Sequence, residues 1–329
     1  MVQWSIRSCF VIFYVCEGIG TKIRYLYNPQ QDEKNRVRVM ILFKNKYGEI
    51  RSGWVLILSV GVLFIALILV ALATSLITGG GANLFNMPFI DYPLMTAALL
   101  LLFRIVYKRP LNKMGFYAND WFKQLVFGGL FGIIMASSIF IIMLVSGLLQ
   151  FTGANFGYFA NYLLWVGLIL YIGVGFFEET LARGFVMTAL KTTRNKWIIV
   201  ILSSLIFGLL HIASPNVTLL SLANITMFGV LLAYLFIKTG RLWAPMGIHI
   251  TWNFVNGNIF GSFTNYIAPI SIFQVEVMGA DWLTGGVFGL GGGVIFSLVA
   301  LFGLAYVHFC VKQNKDFWQV DSDMPLTRY

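Results

Sequence analysis

The chain has 329 residues, of which 58% are hydrophobic, 16% aromatic and only 11% charged, whereas a soluble domain usually carries about 25% charged residues. Together with a mean hydropathy of +0.80, this excludes an ordinary soluble domain and points to a membrane protein. The formal net charge of +10 does not indicate nucleic acid as a partner, because the basic residues sit between long apolar runs and form no dense basic stripe.

The N-terminal region, residues 1–53, is read as cytoplasmic. The apolar run Cys9 to Cys16 is far too short to span a bilayer, and no small-residue cleavage site follows it, which argues against a signal peptide. Met40 precedes a polar, basic run, Phe43 to Gly53, that leads into the first apolar stretch. One expectation is therefore that translation begins at Met40 and that residues 1–39 are an extension. Cys9, Cys16 and Cys310 lie far apart with no CxxC spacing, which supports neither a disulfide framework nor a thiolate metal site.

From Trp54 onward, apolar stretches recur on the scale of the roughly 20 residues that a bilayer crossing needs. We read about eight: Trp54 to Ile77, Pro93 to Tyr107, Phe122 to Leu149, Tyr162 to Leu190, Trp197 to Ile212, Val217 to Ile237, Leu242 to Phe260 and Val287 to Val311. The second is short and the fifth marginal, so the distribution of lysine and arginine matters, since these residues are enriched in short cytoplasmic loops. It alternates. Basic residues fill the region to Arg51, the second connection (Arg104, Lys108, Arg109, Lys113, Lys123), the fourth (Lys191, Arg194, Lys196), the sixth (Lys238, Arg241) and the tail (Lys312, Lys315, Arg328). The first connection, Gly153 to Asn161, Ala213 to Asn216 and Gly261 to Gly286 have none.

The expected fold is thus an all-α bundle of about eight transmembrane helices in a multi-pass cell-membrane protein, with both termini cytoplasmic. Residues 54–312 form its membrane domain and 313–329 a cytoplasmic tail.

Ionisable side chains at bilayer depth are costly and usually face the protein interior for a functional reason. Glu178, Glu179 and Arg183 lie in the fourth span, His211 in the fifth, His249 in the seventh and His308 near the end of the eighth. Glu179 and Arg183 are i,i+4 neighbours with the acid first, the better orientation for a pair. Glu178 points about 100° away and is left free for another partner. Phe207 with His211, and His249 with Asn253, are also i,i+4 pairs. Asn256 and Asn258 either line the same cavity or cap a helix end. His308, a turn from the basic tail, is assigned to the membrane interface.

A carboxylate and an imidazole facing one cavity can hold and deprotonate a water, while a second imidazole and an amide can donate hydrogen bonds to a developing oxyanion. Glu178, His211 and His249 could also hold zinc with one position open; the sequence is compatible with zinc or with no cofactor. Neither an HExxH helix nor a GxSxG elbow is present.

The segments EETLAR (Glu178 to Arg183), FGLLH (Phe207 to His211) and HITWN (His249 to Asn253) resemble the EExxxR, FxxxH and HxxxN motifs of the CAAX-protease and bacteriocin-processing (CPBP) intramembrane peptidases. This family is also described as type II CAAX prenyl endopeptidase-like or lysostaphin-resistance-protein-A-like. The motifs stand in the family's order on successive spans, and the resemblance covers about residues 160–256. It implies an intramembrane endopeptidase acting on a peptide or protein substrate, lipid-modified or not, at a cavity open to the cytoplasmic side. Carried over by position, Glu178 and His211 resemble the water-activating pair, His249 and Asn253 the oxyanion contacts, and Glu179, Arg183 and Phe207 supporting residues. Glu178, His211 and His249 are then expected to converge on one water site in the cytoplasmic half of the membrane, with Asn253 on its rim. The alternatives are a non-catalytic immunity or scaffold protein of the same fold, and a proton-coupled carrier; the inverted repeats and broken helices of carriers are not found in the sequence.

Overall fold

A computed structural model describes residues 43 and 51, scattered positions between 53 and 76, and residues 88–107, 110–193, 195–261 and 270–314. The expectations for residues 1–39 and for the tail beyond 314 lie outside the described residues. In the first expected span, each described position between 53 and 76 is helical.

The remaining helices are α1 (Pro88–Tyr107), α2 (Trp121–Val145), α3 (Tyr162–Leu190), α4 (Lys196–Leu210), α5 (Leu219–Thr239), α6 (Trp243–Phe254), the short α7 (Asp281–Thr284) and α8 (Val294–Cys310). By length and composition, α1, α2, α3 and α5 can cross a membrane, and α4 and α8 are shorter apolar helices. Such helices satisfy their backbone groups internally, as a hydrocarbon environment requires. Several long apolar helices in one chain fit a multi-pass integral membrane protein.

The all-α expectation is corrected by a two-stranded antiparallel sheet, β1 (Leu149–Ala154) and β2 (Phe273–Val277). Leu149 stands opposite Val277 and Ala154 opposite Phe273, with an irregularity between Phe151 and Gly153. The segments that follow α2 and precede α7 emerge at the same end of the bundle, and pairing satisfies the backbone groups that helices no longer satisfy. The last span also starts later than expected, at Val294. Gly285, Gly286 and Gly289 before it have φ of 90°, 52° and 93°. A side chain at Gly285 would run into the Gly289 carbonyl, so this stretch folds as a tight glycine turn that no helix could continue.

Small residues bring α6 into the centre of the bundle. A β-carbon at Gly128 would strike the Ala244 carbonyl, one at Gly132 would strike Thr251, and one at Gly247 the Leu125 carbonyl. Close backbone approach through small residues is the usual means of packing helices where no hydrophobic driving force separates them from lipid. The Thr251 hydroxyl adds a hydrogen bond to the Gly129 carbonyl at 2.9 Å. Through this contact α6 presents His249 towards α3.

The two ends of the bundle differ in charge. At one end the Lys238 ammonium donates to the carbonyls of His308 and Val311, the Arg241 guanidinium to the carbonyl of Asn119, and the Leu242 amide to the Gly115 carbonyl. Trp197, beside Lys196, stacks on Tyr234 one turn before Lys238, which places the start of α4 at this basic end. The opposite end holds β1, β2, the α4–α5 turn and the glycine turn, and its described segments 146–161, 211–218, 260–261 and 270–293 contain no lysine or arginine.

Candidate functional site

α3 is α-helical to Glu179 and continues through a π-helical stretch, Thr180–Val186, before its last turn. Such local widening is frequent at functional sites. Here it carries Arg183, which is 1% exposed and follows the fully buried Glu179 by four residues. The Arg183 Nη1 donates to Glu179 Oε1 at 2.8 Å and its Nη2 to the Gly229 carbonyl on α5 at 3.1 Å. Its guanidinium carbon lies 4.5 Å from the centre of the Phe207 ring, a cation–π contact.

Glu179 has a second partner. The Nδ1 of His249 lies 2.8 Å from the same Oε1. A carboxylate accepts, so Nδ1 carries the proton and the ring of His249 is held with Nε2 facing away from Glu179. The rings of Phe207 and Phe228 meet that imidazole edge-on, with centroids 6.0 and 5.7 Å away.

His211 is not inside a helix. It terminates α4 as the residue after Leu210, where the chain turns through Ser214, Pro215 and Asn216, the last with φ of 56°. The His211 Nδ1 lies 2.9 Å from the Phe207 carbonyl. A carbonyl only accepts, so this ring too is protonated at Nδ1 and turns Nε2 outward.

Both Nε2 atoms face Glu178. Its Oε2 lies 3.6 Å from that of His211 and 3.7 Å from that of His249, longer than direct hydrogen bonds. Oε2 itself has no hydrogen-bond partner within the protein. Three acceptor atoms thus surround one point without a donor among them. The side chains of Glu178 and His211 are 21% and 27% exposed, against 5% for His249.

These donors are of the kind zinc takes. Among the described residues, no group of three or more His, Cys, Asp or Glu side chains meets the spacing of a metal site as placed, and Glu178, His211 and His249 are the residues that would hold a zinc ion.

A cavity of about 300 Å³ adjoins the site, lined by Phe207, His211 and His249 and, one turn beyond His249, by Asn253. Asn256 reaches it too, its amide donating to the Trp252 carbonyl at 2.8 Å. The Asn258 amide instead donates to the Ile270 carbonyl. His308 lies apart from the site, its Nδ1 2.8 Å from the Tyr234 hydroxyl.

The remainder of the cavity wall comes from Ser214 to Asn216 and from Val287, Phe288 and Gly291. These segments belong to the end of the bundle without basic residues. Towards the basic end, Met187 and Leu190 on α3 and Leu242 and Met246 before and on α6 are buried in one apolar cluster.

Two contacts escaped the sequence reading, the Glu179–His249 bond and the Gly229 carbonyl on Arg183. Both partners stand on different helices from their targets, and no local spacing signals them.

No curated protein and no solved structure matches the chain. The sequence pattern of one family, Rce1-like, described as type II CAAX prenyl endopeptidase Rce1-like, matches residues 160–255. That segment carries each of the three motifs, and with them Glu178, His211 and His249.

Proposed function

We propose that the chain is an intramembrane endopeptidase in which Glu178 activates a water for attack on a peptide carbonyl. The observation that carries this reading is the position of Glu178 Oε2 opposite two imidazole Nε2 atoms, 3.6 and 3.7 Å away. A water beside Oε2 supplies the donor that the three acceptors lack. Glu178 takes its proton as the oxygen adds to the carbonyl carbon, with His211 as the second acceptor at the same water, and returns the proton to the leaving amine.

His249 and Asn253 face the developing oxyanion. The imidazole donates from Nε2 once protonated, and Glu179 beside Nδ1 stabilises that imidazolium. The Asn253 amide donates directly. Preorganised donors of this kind act strongly in a site from which bulk water is excluded. Arg183 and Phe207 hold Glu179 and His211 and touch no reacting atom.

The matched family is named for prenyl CAAX endopeptidases, and a peptide or protein segment is the substrate class this reading carries. The cell membrane, with both termini on the cytoplasmic side, is the location that the basic loops support.

The test is hydrolysis of quenched fluorescent peptides by the purified full chain in detergent. Glu178→Gln is expected to lower the rate by about 10²–10⁴-fold, the range for loss of a positioned general base. Hydrolysis by that variant at the full rate rejects the reading.

A further inference from the structure

Beside the glycines that face α6, α2 carries a second stripe. Phe127, Phe131, Ile134 and Ser138 recur at four, three and four residues, the spacing of one helical face. Between this stripe and α8 lies a groove of about 450 Å³, whose other wall is Val299, Phe302 and Tyr306. Its lip is open: Leu130, Ile134 and Phe302 are 56%, 64% and 76% exposed. From Phe127 to Ser138 α2 rises about 16 Å at 1.5 Å per residue. That is about half of a hydrocarbon core roughly 30 Å thick, the depth of one lipid leaflet.

At the end nearer the basic loops, the groove runs on into a polar cleft. Phe127 and Tyr306 line both. Beyond them the cleft is walled by Gln124 on the first turn of α2, Arg241 ahead of α6 and Lys312 after α8. Hydrogen bonds hold these walls in place. The Lys238 ammonium donates to the carbonyls of His308 and Val311, and the Gln313 amide to the Ile237 carbonyl, so the segment that carries Lys312 is tied to the end of α5. The Arg241 guanidinium lies 5.5 Å from the centre of the Tyr117 ring. One of its five N–H donors goes to the Asn119 carbonyl.

Three features of the cleft point to an anionic ligand of a lipid kind. Lys312 is exposed and makes no ion pair among the described residues, and with Arg241 it outweighs the one carboxylate present, that of Asp120. The Gln124 Oε1 is buried there without a hydrogen-bond partner. Trp121, one turn before Gln124, lies with its ring centroid 5.7 Å from that of Trp243, whose Nε1 donates to the Tyr117 carbonyl. Aromatic rings with a polar edge collect at the membrane–water interface, which sets the cleft at the level of lipid headgroups.

We infer that the groove and the cleft together hold an anionic phospholipid, with its phosphate at Arg241 and Lys312 and an acyl chain along Phe127, Phe131 and Ile134. Guanidinium groups match phosphate oxygens in geometry as well as charge, and basic pockets between transmembrane helices take anionic headgroups. A hydroxyl on the headgroup supplies the donor that Gln124 Oε1 lacks. A soluble phosphate would leave the apolar groove empty, and an apolar helix from another chain would bring no counter-charge to the cleft. None of these residues lines the cavity beside His249, so the lipid site stands independently of the endopeptidase reading.

The experiment uses the purified full chain in detergent, stripped of lipid. It is titrated with phosphatidylglycerol or with phosphatidylcholine of the same acyl chains, and the bound lipid is read by native mass spectrometry. Phosphatidylglycerol is expected to bind about tenfold tighter or more, as two basic residues at the headgroup imply. Lys312→Gln breaks no ion pair of the described fold and is expected to weaken phosphatidylglycerol about fivefold, the effect of one basic residue near an anionic lipid. Phosphatidylcholine is unchanged in that variant, and Lys312→Arg keeps the preference. Ile134→Trp, which fills the groove from its open lip, weakens both lipids.

Equal affinity for the two lipids, or an unchanged affinity for phosphatidylglycerol in Lys312→Gln, overturns the inference. Displacement of the lipid by glycerol phosphate at equal concentration overturns it too, because the headgroup alone would then account for binding. Full binding in Ile134→Trp removes the acyl chain from the groove and with it the assignment. The melting temperature of each variant is read without lipid, and if Ile134→Trp melts early, Leu130→Trp at the same lip replaces it with the same expected outcome.

Discussion

The Nδ1 of His249 and the Nη1 of Arg183 meet on a single oxygen, Glu179 Oε1, each at 2.8 Å. One buried carboxylate therefore neutralises the cation on its own helix and orients an imidazole on another. Glu178, the next residue, addresses the opposite nitrogen of that imidazole. Two adjacent carboxylates thus divide the labour, one holding the site and one turned to the two imidazole Nε2 atoms.

This division predicts different phenotypes for the two acids. In Glu179→Ala, Arg183 keeps its charge while fully enclosed and loses its counter-ion, a loss of about 3–5 kcal/mol for a broken buried pair. Yield and thermal stability in detergent are expected to fall well below those of Glu178→Ala, which removes a partly exposed carboxylate and strands no buried cation. Equal stability of the two variants would contradict the arrangement.

Much of this was legible in the sequence, and the exceptions have physical causes. The fourth span, Tyr162 to Leu190, coincides with α3, because an unbroken apolar run bounded by Asn161 and Lys191 leaves little choice of ends. The Glu179–Arg183 pair was visible as an i,i+4 spacing, although Arg183 reaches back from a π-helical turn. The second partner of Glu179 was not visible, since only packing of α6 against α2 and α3 brings His249 there. The strand Phe273–Val277 reads FQVEV, an alternation of period two, yet at five residues it is too short to stand out between mixed apolar and polar flanks. The late start of α8 follows from glycines that helix-length counting treats as apolar. Depth was the least legible quantity: α4 ends at His211, whereas α6 has only begun at His249, so counting residues from each basic loop places the three side chains at unequal levels.

The close contact of α2 with α6 makes Gly247 a position where stability and activity move together. A methyl group there would meet the Leu125 carbonyl and the backbone at Gly129, and the helices would have to separate. Overpacking of this kind costs about 1–3 kcal/mol. Gly247→Ala is expected to lower the melting temperature in detergent and, by displacing His249 from Glu178, to reduce kcat. A variant with full stability and full activity would show that α6 is not held by this contact.

A general-base mechanism through Glu178 requires no metal. Peptide hydrolysis by the purified protein is expected to survive dialysis against 1,10-phenanthroline. Loss of activity on dialysis, restored by zinc alone and accompanied by one bound zinc per chain in elemental analysis, would replace the activated water by a metal-bound one and reassign Glu178, His211 and His249 as its ligands.

Asn253 provides the sharpest separation of binding from chemistry. It follows His249 by one turn on α6 and lines the cavity at half burial. Its amide can donate where the carbonyl oxygen becomes an oxyanion, an interaction that strengthens only as negative charge develops. Removing such a donor costs about 10²–10³-fold in kcat. Asn253→Ala is therefore expected to lower kcat by that factor with KM nearly unchanged, and without the loss of stability expected of Glu179→Ala, because no buried ion is stranded. Asn253→Asp should be at least as slow, since a carboxylate opposes the oxyanion it would face. A rise in KM at constant kcat in the alanine variant would assign Asn253 to substrate binding and leave His249 as the donor to the transition state.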